Sequence, residues 1–461
     1  MSRARSSSSL EGACPLTRWR LFPLIRSTKG SHRMSMFDYD TRPITPQVVL
    51  VGNRASSAGY TIRDFLSRNG VPYDWVDIED VDRLPAVISP SEMDPVRLPI
   101  CILPNGTRLA PATVEDVAAG LGMVTAPALS EYDLIIAGAG PAGLAAAVYG
   151  ASEGLHTLAV EAIAPGGQAG TTSMIENYLG FPQGISGSEL ATRATAQARR
   201  FGAEILLARR LVDLSKDGAG YLARLSDGTV VRARATLLAS GVDWRRLDIP
   251  GLDDLLGSGV YYGAGPSEAV TCTGCRVAVI GGGNSAGQAV VRFSRYAAHV
   301  TLLVRGNSLE ASMSQYLIAQ VGKLPNVEVR TNTEVVELEA DQHLQALIVS
   351  SGSDSVRSRL PVDALFVCIG GVPRTHGTAQ VGIALDKAGY IRTGRDVGTS
   401  PGALEGWSLT RHPLPLETNL PGLFACGDVR SGSIKRCAAA IGEGSMSVAL
   451  VHQRLAEVGG E

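Results

Sequence analysis

Apolar residues in this chain fall in short unbroken runs, each bounded by glycine or a charged residue. Leu134–Ala137, Leu155–Val160, Thr229–Leu238, Arg276–Ile280, His299–Val304 and Leu423–Val429 have strand length and strand composition. Helical stretches lie between them, Leu144–Glu153 after the first and a helix running through Arg292 after the fourth. Strand, glycine turn, helix, strand is the order of a parallel α/β sheet covered by helices. A smaller set precedes it. Gln47–Val51, Asp74–Ile78 and Leu98–Leu103 read as strands. Tyr60–Arg68 reads as a helix with Ile62, Phe65 and Leu66 on one face. Asn105-Gly106 marks a hairpin turn, and Thr113 caps a closing helix through Leu121, with Glu115 and Asp116 in its first turn.

Two of the glycine turns carry chemistry. The first strand feeds into Gly138-Ala-Gly140-Pro141-Ala142-Gly143, and the next strand ends on Glu161. The first glycine permits the tight turn, the second lets backbone N–H groups approach a pyrophosphate, and the third lets helix pack on strand. The helix start adds positive potential, and Glu161 stands where an acid accepts from ribose hydroxyls. A second turn, Gly281-Gly282-Gly283-Asn284-Ser285-Ala286, follows Arg276–Ile280. The strand after it ends on Arg305 instead of an acid, which favours the 2′-phosphate of NADPH over NADH. Gly167 and Gln168, in the loop Pro165–Gly170, and Asn177 suit the hydrogen-bonding edge of a flavin, although a plain loop reads equally well. Asp428 is placed to accept from a ribityl hydroxyl. Arg436-Cys437 opens a helix whose N–H groups suit negative charge on a reduced flavin.

At 461 residues, with 45% apolar and 19% charged residues, the chain has room for roughly three domains of an ordinary α/β enzyme. A net charge of −2 gives no field for nucleic acid or an anionic membrane, and no apolar run reaches the ~18 residues of a membrane helix. The seven cysteines are scattered apart from Cys272-Thr-Gly-Cys275, which points to a reducing, cytoplasmic interior. Residues 1–33 are basic and serine-rich, with Glu11 their single acid. They read as a transit peptide or as a non-structural extension with Met34 or Met36 as the working start. The second is preferred because no long amphipathic helix is written there. Residues 1–44 are accordingly expected to be a disordered basic extension.

Residues 131–461 resemble the low-molecular-weight thioredoxin reductases. The motifs are Gly138–Gly143, Gly166-Gly-Gln168, Ile175-Glu-Asn177, Ala239-Ser-Gly241, Gly281–Ala286, Cys368-Ile-Gly370 and Ala425-Cys-Gly-Asp-Val429, in family order and spacing. The resemblance implies two Rossmann-like, three-layer ββα dinucleotide-binding domains. FAD would be held by 131–245 and 365–455, Gly241 and Gly370 included, and NADPH by an inserted 255–360. It also implies a homodimer and a rotation of one domain against the other during turnover. Residues 45–125 resemble a thioredoxin or glutaredoxin fold through Asn69-Gly70-Val71-Pro72-Tyr73 and a cis-proline position at Pro99.

Both resemblances fail at sulfur. The small domain's cysteine positions fall near Ser56 and Gly59, and the reductase's at Gly263 and Pro266. Disulfide exchange needs a thiolate, so the small domain reads as a docking or packing module, with Cys101 a buried apolar residue. Cys272 and Cys275 begin a strand whose five residues span about 17 Å away from the phosphate turn, which suits a fortuitous turn pair better than a redox pair. The layout is similar to a bacterial thioredoxin-reductase-like group that pairs a cysteine-less thioredoxin-like domain with a reductase body lacking its active cysteines. Gly259-Val-Tyr-Tyr262 and Ser312-Met-Ser-Gln-Tyr-Leu317 are among its phrases. The leading expectation is hydride transfer from NADPH to FAD and then to an external acceptor. That acceptor could be a small disulfide, a quinone, an electron carrier such as ferredoxin, or oxygen. One rival is a disulfide reductase using Cys272 and Cys275 or a partner's cysteines; another is a non-catalytic nucleotide sensor. No metal site and no catalytic side chain are expected.

Overall fold

The computed structural model describes residues 47–459, apart from 54–55, 81–82, 85–87, 89–94, 173, 176, 253–254, 264–265, 342, 353–355, 376–379 and 399–406. The expected basic extension at 1–44 lies outside the described residues. The amino-terminal lobe is a four-stranded sheet, β1 (Val48–Gly52), β2 (Tyr73–Asp77), β3 (Ile100–Ile102) and β4 (Arg108–Leu109), ordered β2-β1-β3-β4. β1 and β2 are parallel, and β3 and β4 form the hairpin read from Asn105-Gly106. Helix α1 (Ser57–Arg68) begins three residues before the expected Tyr60, because Ser56 accepts from Gly59 N and caps it there. Helix α2 (Val114–Gly120) is capped by Thr113 as expected, and the Leu98–Pro99 peptide is cis. Ile62, Phe65 and Leu66 pack under the sheet with Val117, joined by Ala208 and the half-buried Ile163 from the following lobe. The small sheet therefore shares its core with the lobe that follows.

That second lobe is the sheet β5 (Glu131–Ala137), β6 (Thr157–Val160), β7 (Glu204–Leu206), β8 (Leu211–Asp217), β9 (Gly220–Leu225) and β10 (Val230–Leu238), ordered β7-β6-β5-β10-β9-β8. The neighbours from β7 through β6 and β5 to β10 are parallel; β9 and β8 form an antiparallel flap. Helices α3 (Pro141–Ser152), α4 (Gly167–Gly170) and α5 (Gly187–Arg200) follow β5 and β6. The stretch Pro165–Gly170, expected as a loop, thus includes a helical turn, started by Gly166 at φ +98°.

The chain leaves on β11 (Val242–Trp244) and enters a third lobe. Its five-stranded parallel sheet is built from β12 (Val260–Tyr262), β13 (Arg276–Ile280), β14 (His299–Leu303), β15 (Val327–Arg330) and, late in the chain, β19 (Ala364–Val367), ordered β12-β19-β13-β14-β15. Helices α6 (Pro266–Thr271), α7 (Asn284–Phe293) and α8 (Gln315–Val321) connect these strands. A three-stranded antiparallel layer, β16 (Thr333–Ala340), β17 (Leu344–Ser351) and β18 (Val356–Pro361), covers the sheet. β19 pairs with β12 and β13, and the chain then leaves this sheet. It returns on β20 (Gly371–Pro373), which pairs antiparallel with β11. This two-stranded ribbon holds both crossings between the second and third lobes, and Arg374 Nε donates to Asp243 across it at 2.5 Å. β21 (Leu423–Ala425) then joins β10, and α9 (Cys437–Gly459) lies on α3. The helices meet at Gly444, where a Cβ would stand 2.1 Å from the Ala142 carbonyl oxygen. The architecture is the expected α/β arrangement of two ββα nucleotide folds, the second inserted in the first. No helix among the described residues is long and apolar enough to cross a membrane.

Candidate functional site

The first glycine turn is built as its sequence demands. Gly138 has φ +104°, and a Cβ there would lie 2.6 Å from the Ala239 carbonyl oxygen. Gly140 caps α3 ahead of Pro141, and a Cβ there would meet Gly167 Cα at 3.9 Å, so the turn keeps room on that side. A Cβ at Gly143 would stand 1.9 Å from Gly138 O, the close helix–strand approach expected of the third glycine. Glu161 is 6% exposed; its Oε2 accepts from Ala139 N and its Oε1 from Ile163 N. The acid therefore fixes the phosphate turn, and each oxygen keeps capacity for a second donor. Gln168 donates to the Val242 carbonyl at 2.8 Å and so anchors the ribbon. Gly138, Gly140, Pro141, Ala142, Glu161 and Gly167 line one cleft of about 1250 Å³, as do Gln168, Asn177 and Gly241. Gly143 is on the buried side of α3, and Gly370, φ +90°, flanks the ribbon on the returning crossing.

The second turn reaches the same cleft through the start of α7, while Gly281 and Gly283 lie outside its lining. Gly281 has φ +143°, with a hypothetical Cβ 2.3 Å from Cys368 O. Gly283 caps α7, Ala286 is fully buried, and Asn284 and Ser285 line the cleft. Asn284 Oδ1 accepts from Ser314 N at 2.7 Å and ties α7 to α8. Arg305 lies two residues past β14, with its side chain 84% exposed and 3.8 Å from Glu334, outside the cleft lining.

The carboxyl-terminal motif closes the opposite wall. Asp428 follows β21 in a 3₁₀ turn, and burial holds its carboxyl above the ordinary value. Lys435 Nζ donates to its carbonyl. Glu443 on α9 accepts from Gly427 N at 2.7 Å and from Arg430 Nη2 at 2.5 Å, which pins this turn. Arg436 and Cys437 open α9 at the cleft. Burial pushes the Cys437 thiol up to about 11, so at neutral pH it is no thiolate nucleophile.

One of the positions at which sulfur is missing, Gly263, is filled. Gly263, φ +80°, would place a Cβ 2.8 Å from the Trp244 indole, so the ring occupies the space a cysteine would need. The side chain of Pro266 lies outside the described residues. Cys272 is buried in the turn after α6, with Cys275 N donating to its carbonyl. Burial, then Asp363, raises the Cys275 thiol, and neither residue lines the cleft. Sequence reasoning missed two walls. One is the aromatic wall of Trp244, Tyr261 and Tyr262. The other is α1, whose Ser57, Tyr60, Thr61, Asp64, Ser67 and Arg68 face the cleft at helical spacing. The pattern of α1 reads as a solvated face, and only docking reveals it as a wall.

Two glycine turns, each capping a helix whose start lines one cleft larger than the usual 300–1,000 Å³ pocket, fit two dinucleotides. Similarity to known proteins agrees. The model of the pyridine nucleotide-disulphide oxidoreductase family matches residues 132–444. The chain is 34% identical over 324 residues to a thioredoxin reductase of Listeria innocua, covering 68% of this chain and 91% of that one. It is 27% identical over 448 residues to an alkyl hydroperoxide reductase component of Staphylococcus aureus, covering 95% of this chain and 79% of that one. The crystal structure of T. acidophilum thioredoxin reductase superposes with a TM-score of 0.62 at 26% identity, over 70% of this chain and 99% of the other. Fold, paired glycine turns and kinship coincide over the same residues, and the chain belongs to the pyridine nucleotide-disulphide oxidoreductases as a thioredoxin reductase-like flavoprotein enzyme that uses FAD and NADPH.

Proposed function

We propose that this enzyme passes reducing equivalents from NADPH through FAD to an acceptor outside the chain, without a cysteine relay of its own. The carrying observation is Gly263, whose left-handed backbone and contact with Trp244 leave no room for the relay cysteine of a disulfide reductase. When bound, NADPH supplies the hydride and FAD accepts it at N5. The chain's residues align and stabilise. In this assignment Gly138, Gly140 and the start of α3 hold the FAD pyrophosphate, Glu161 its ribose, and Asp428 the ribityl chain. The N–H groups at the start of α9 face the flavin. Gly281, Gly283 and the start of α7 hold the NADPH pyrophosphate, with Arg305 available to its 2′-phosphate. The small lobe is a thioredoxin-like module that packs and does not exchange disulfides. A cytoplasmic homodimer suits the kinship.

The test is anaerobic mixing of the flavoprotein with NADPH, followed by a screen of disulfides, quinones and ferredoxin-type carriers for reoxidation. Flavin bleaching is expected in wild type and in Cys272→Ser/Cys275→Ser, with reduction and reoxidation rates within twofold of each other. Loss of disulfide reduction confined to the double variant would return the relay to this pair. Failure of NADPH to bleach the bound flavin would favour the sensor reading.

A further inference from the structure

We propose that Arg68, carried on α1 of the amino-terminal lobe, is a cation of the FAD pyrophosphate site. The inference rests on the use of FAD by this family and is independent of which acceptor takes the electrons. Helix α1 is amphipathic: Ile62, Phe65 and Leu66 are at most 1% exposed in the lobe's core, while the opposite stripe lines the nucleotide cleft. At its end, Arg68 Nη2 donates to Gly167 O at 2.8 Å, and Asn69 Nδ2 donates to Ile163 O at 2.9 Å. Gly167 abuts the phosphate turn, since a Cβ there would stand 3.1 Å from Gly140 Cα. The guanidinium is thus held on the residue that abuts Gly140, and Arg68, Gly140 and Gly167 line the same cleft.

The guanidinium has donors to spare for an anion. Asp64 pairs with it only loosely, 3.7 Å from Nη1, and Nη2 donates to a neutral carbonyl. Arg209, another cation of the cleft, is committed to Asp227 at 2.9 Å and to the Ala208 carbonyl. Arg68 is only 20% exposed, so a phosphate partner would be poorly screened by solvent. A helix start and a guanidinium would then meet the dianionic pyrophosphate from two lobes. Cofactor retention would depend on the small lobe, a role that needs no sulfur.

The test titrates FAD into the full-length apoprotein by flavin fluorescence quenching, at low and high NaCl, for wild type, Arg68→Gln and Arg68→Ala. Riboflavin, which lacks the pyrophosphate, is titrated in parallel. Glutamine keeps a donor for Gly167 O but no charge. Arg68→Gln is expected to weaken FAD about tenfold, as loss of a charge-assisted phosphate contact should. It should also flatten the salt dependence and leave riboflavin affinity and the far-UV CD spectrum unchanged. FAD affinity within twofold of wild type in Arg68→Gln overturns the proposal. So does an Arg68→Ala loss that glutamine fully restores, or an equal loss for riboflavin, because Arg68 would then only brace the loop.

Discussion

Replacing Gly281 by alanine is expected to slow reduction of the flavin by NADPH by about a hundredfold or more, while dithionite still bleaches it. The turn between β13 and α7 closes on the end of β19, and Cys368 N donates to Ile280 O at 2.8 Å. A Cβ at 281 would stand 2.3 Å from Cys368 O and 3.1 Å from the Ala286 Cβ, both fixed. The φ of +143° adds a conformational cost for any side chain. A non-glycine residue in such a region costs about 1–2 kcal/mol, and overpacking a fixed neighbour about 1–3 kcal/mol. At about 1.4 kcal/mol per tenfold, the combined cost of about 2–5 kcal/mol spans about one and a half to three and a half decades, which brackets the hundredfold expected. The strain sits in the inserted lobe, so FAD binding and the dithionite reaction serve as internal controls. An NADPH reaction within fivefold of wild type would mean that this turn does not hold the nucleotide.

The two glycine turns were legible because their geometry is local. A strand, a positive-φ glycine and a helix start lie within ten residues, and the close approach of Gly143 to Gly138 is between near neighbours in the chain. The hairpin at Asn105-Gly106 and the cap at Thr113 were legible for the same reason. What escaped was set by docking. Arg68 meets a carbonyl 99 positions away, and nothing in the spacing of Ser57, Tyr60, Thr61 and Asp64 separates a cleft wall from a solvated stripe. Trp244 fills the space beside Gly263 only because the ribbon of β11 and β20 folds it back. The short helix at Gly167–Gly170 escaped because glycine disfavours helix; it is imposed by contacts such as Gly166 N to Ala139 O and Gln168 to Val242 O.

Arg411→Ala is expected to destabilise the protein by about 3–5 kcal/mol, the cost of stranding a buried carboxylate. Glu417 is fully buried. It accepts from Arg411 Nη1 at 2.7 Å, from Leu414 N at 3.0 Å and from Gly422 N at 2.9 Å. Arg411 also grips Glu457 of α9 through Nε at 2.6 Å and Nη2 at 2.9 Å, with its guanidinium over the Trp407 ring. This cluster ties the loop before β21 to α9, the two elements that present Asp428 and Cys437 to the cleft, so the variant should also release FAD at lower urea. Hydrogen bonding to Arg411 holds the Glu457 carboxyl below the usual carboxylate range. A depressed carboxylate stabilises the fold above its unfolded value, about 4.3 for glutamate, and that stabilisation is lost as pH falls through the folded value. The gap between wild type and Arg411→Ala should therefore be widest near neutrality and narrow below about pH 4. Arg411→Met combined with Glu417→Gln should recover much of the loss, because glutamine still accepts one backbone N–H and no charge is left unpaired. Urea midpoints measured across pH check both statements. A cost below about 1 kcal/mol for Arg411→Ala would mean that water reaches Glu417 and that the cluster does not hold β21 in place.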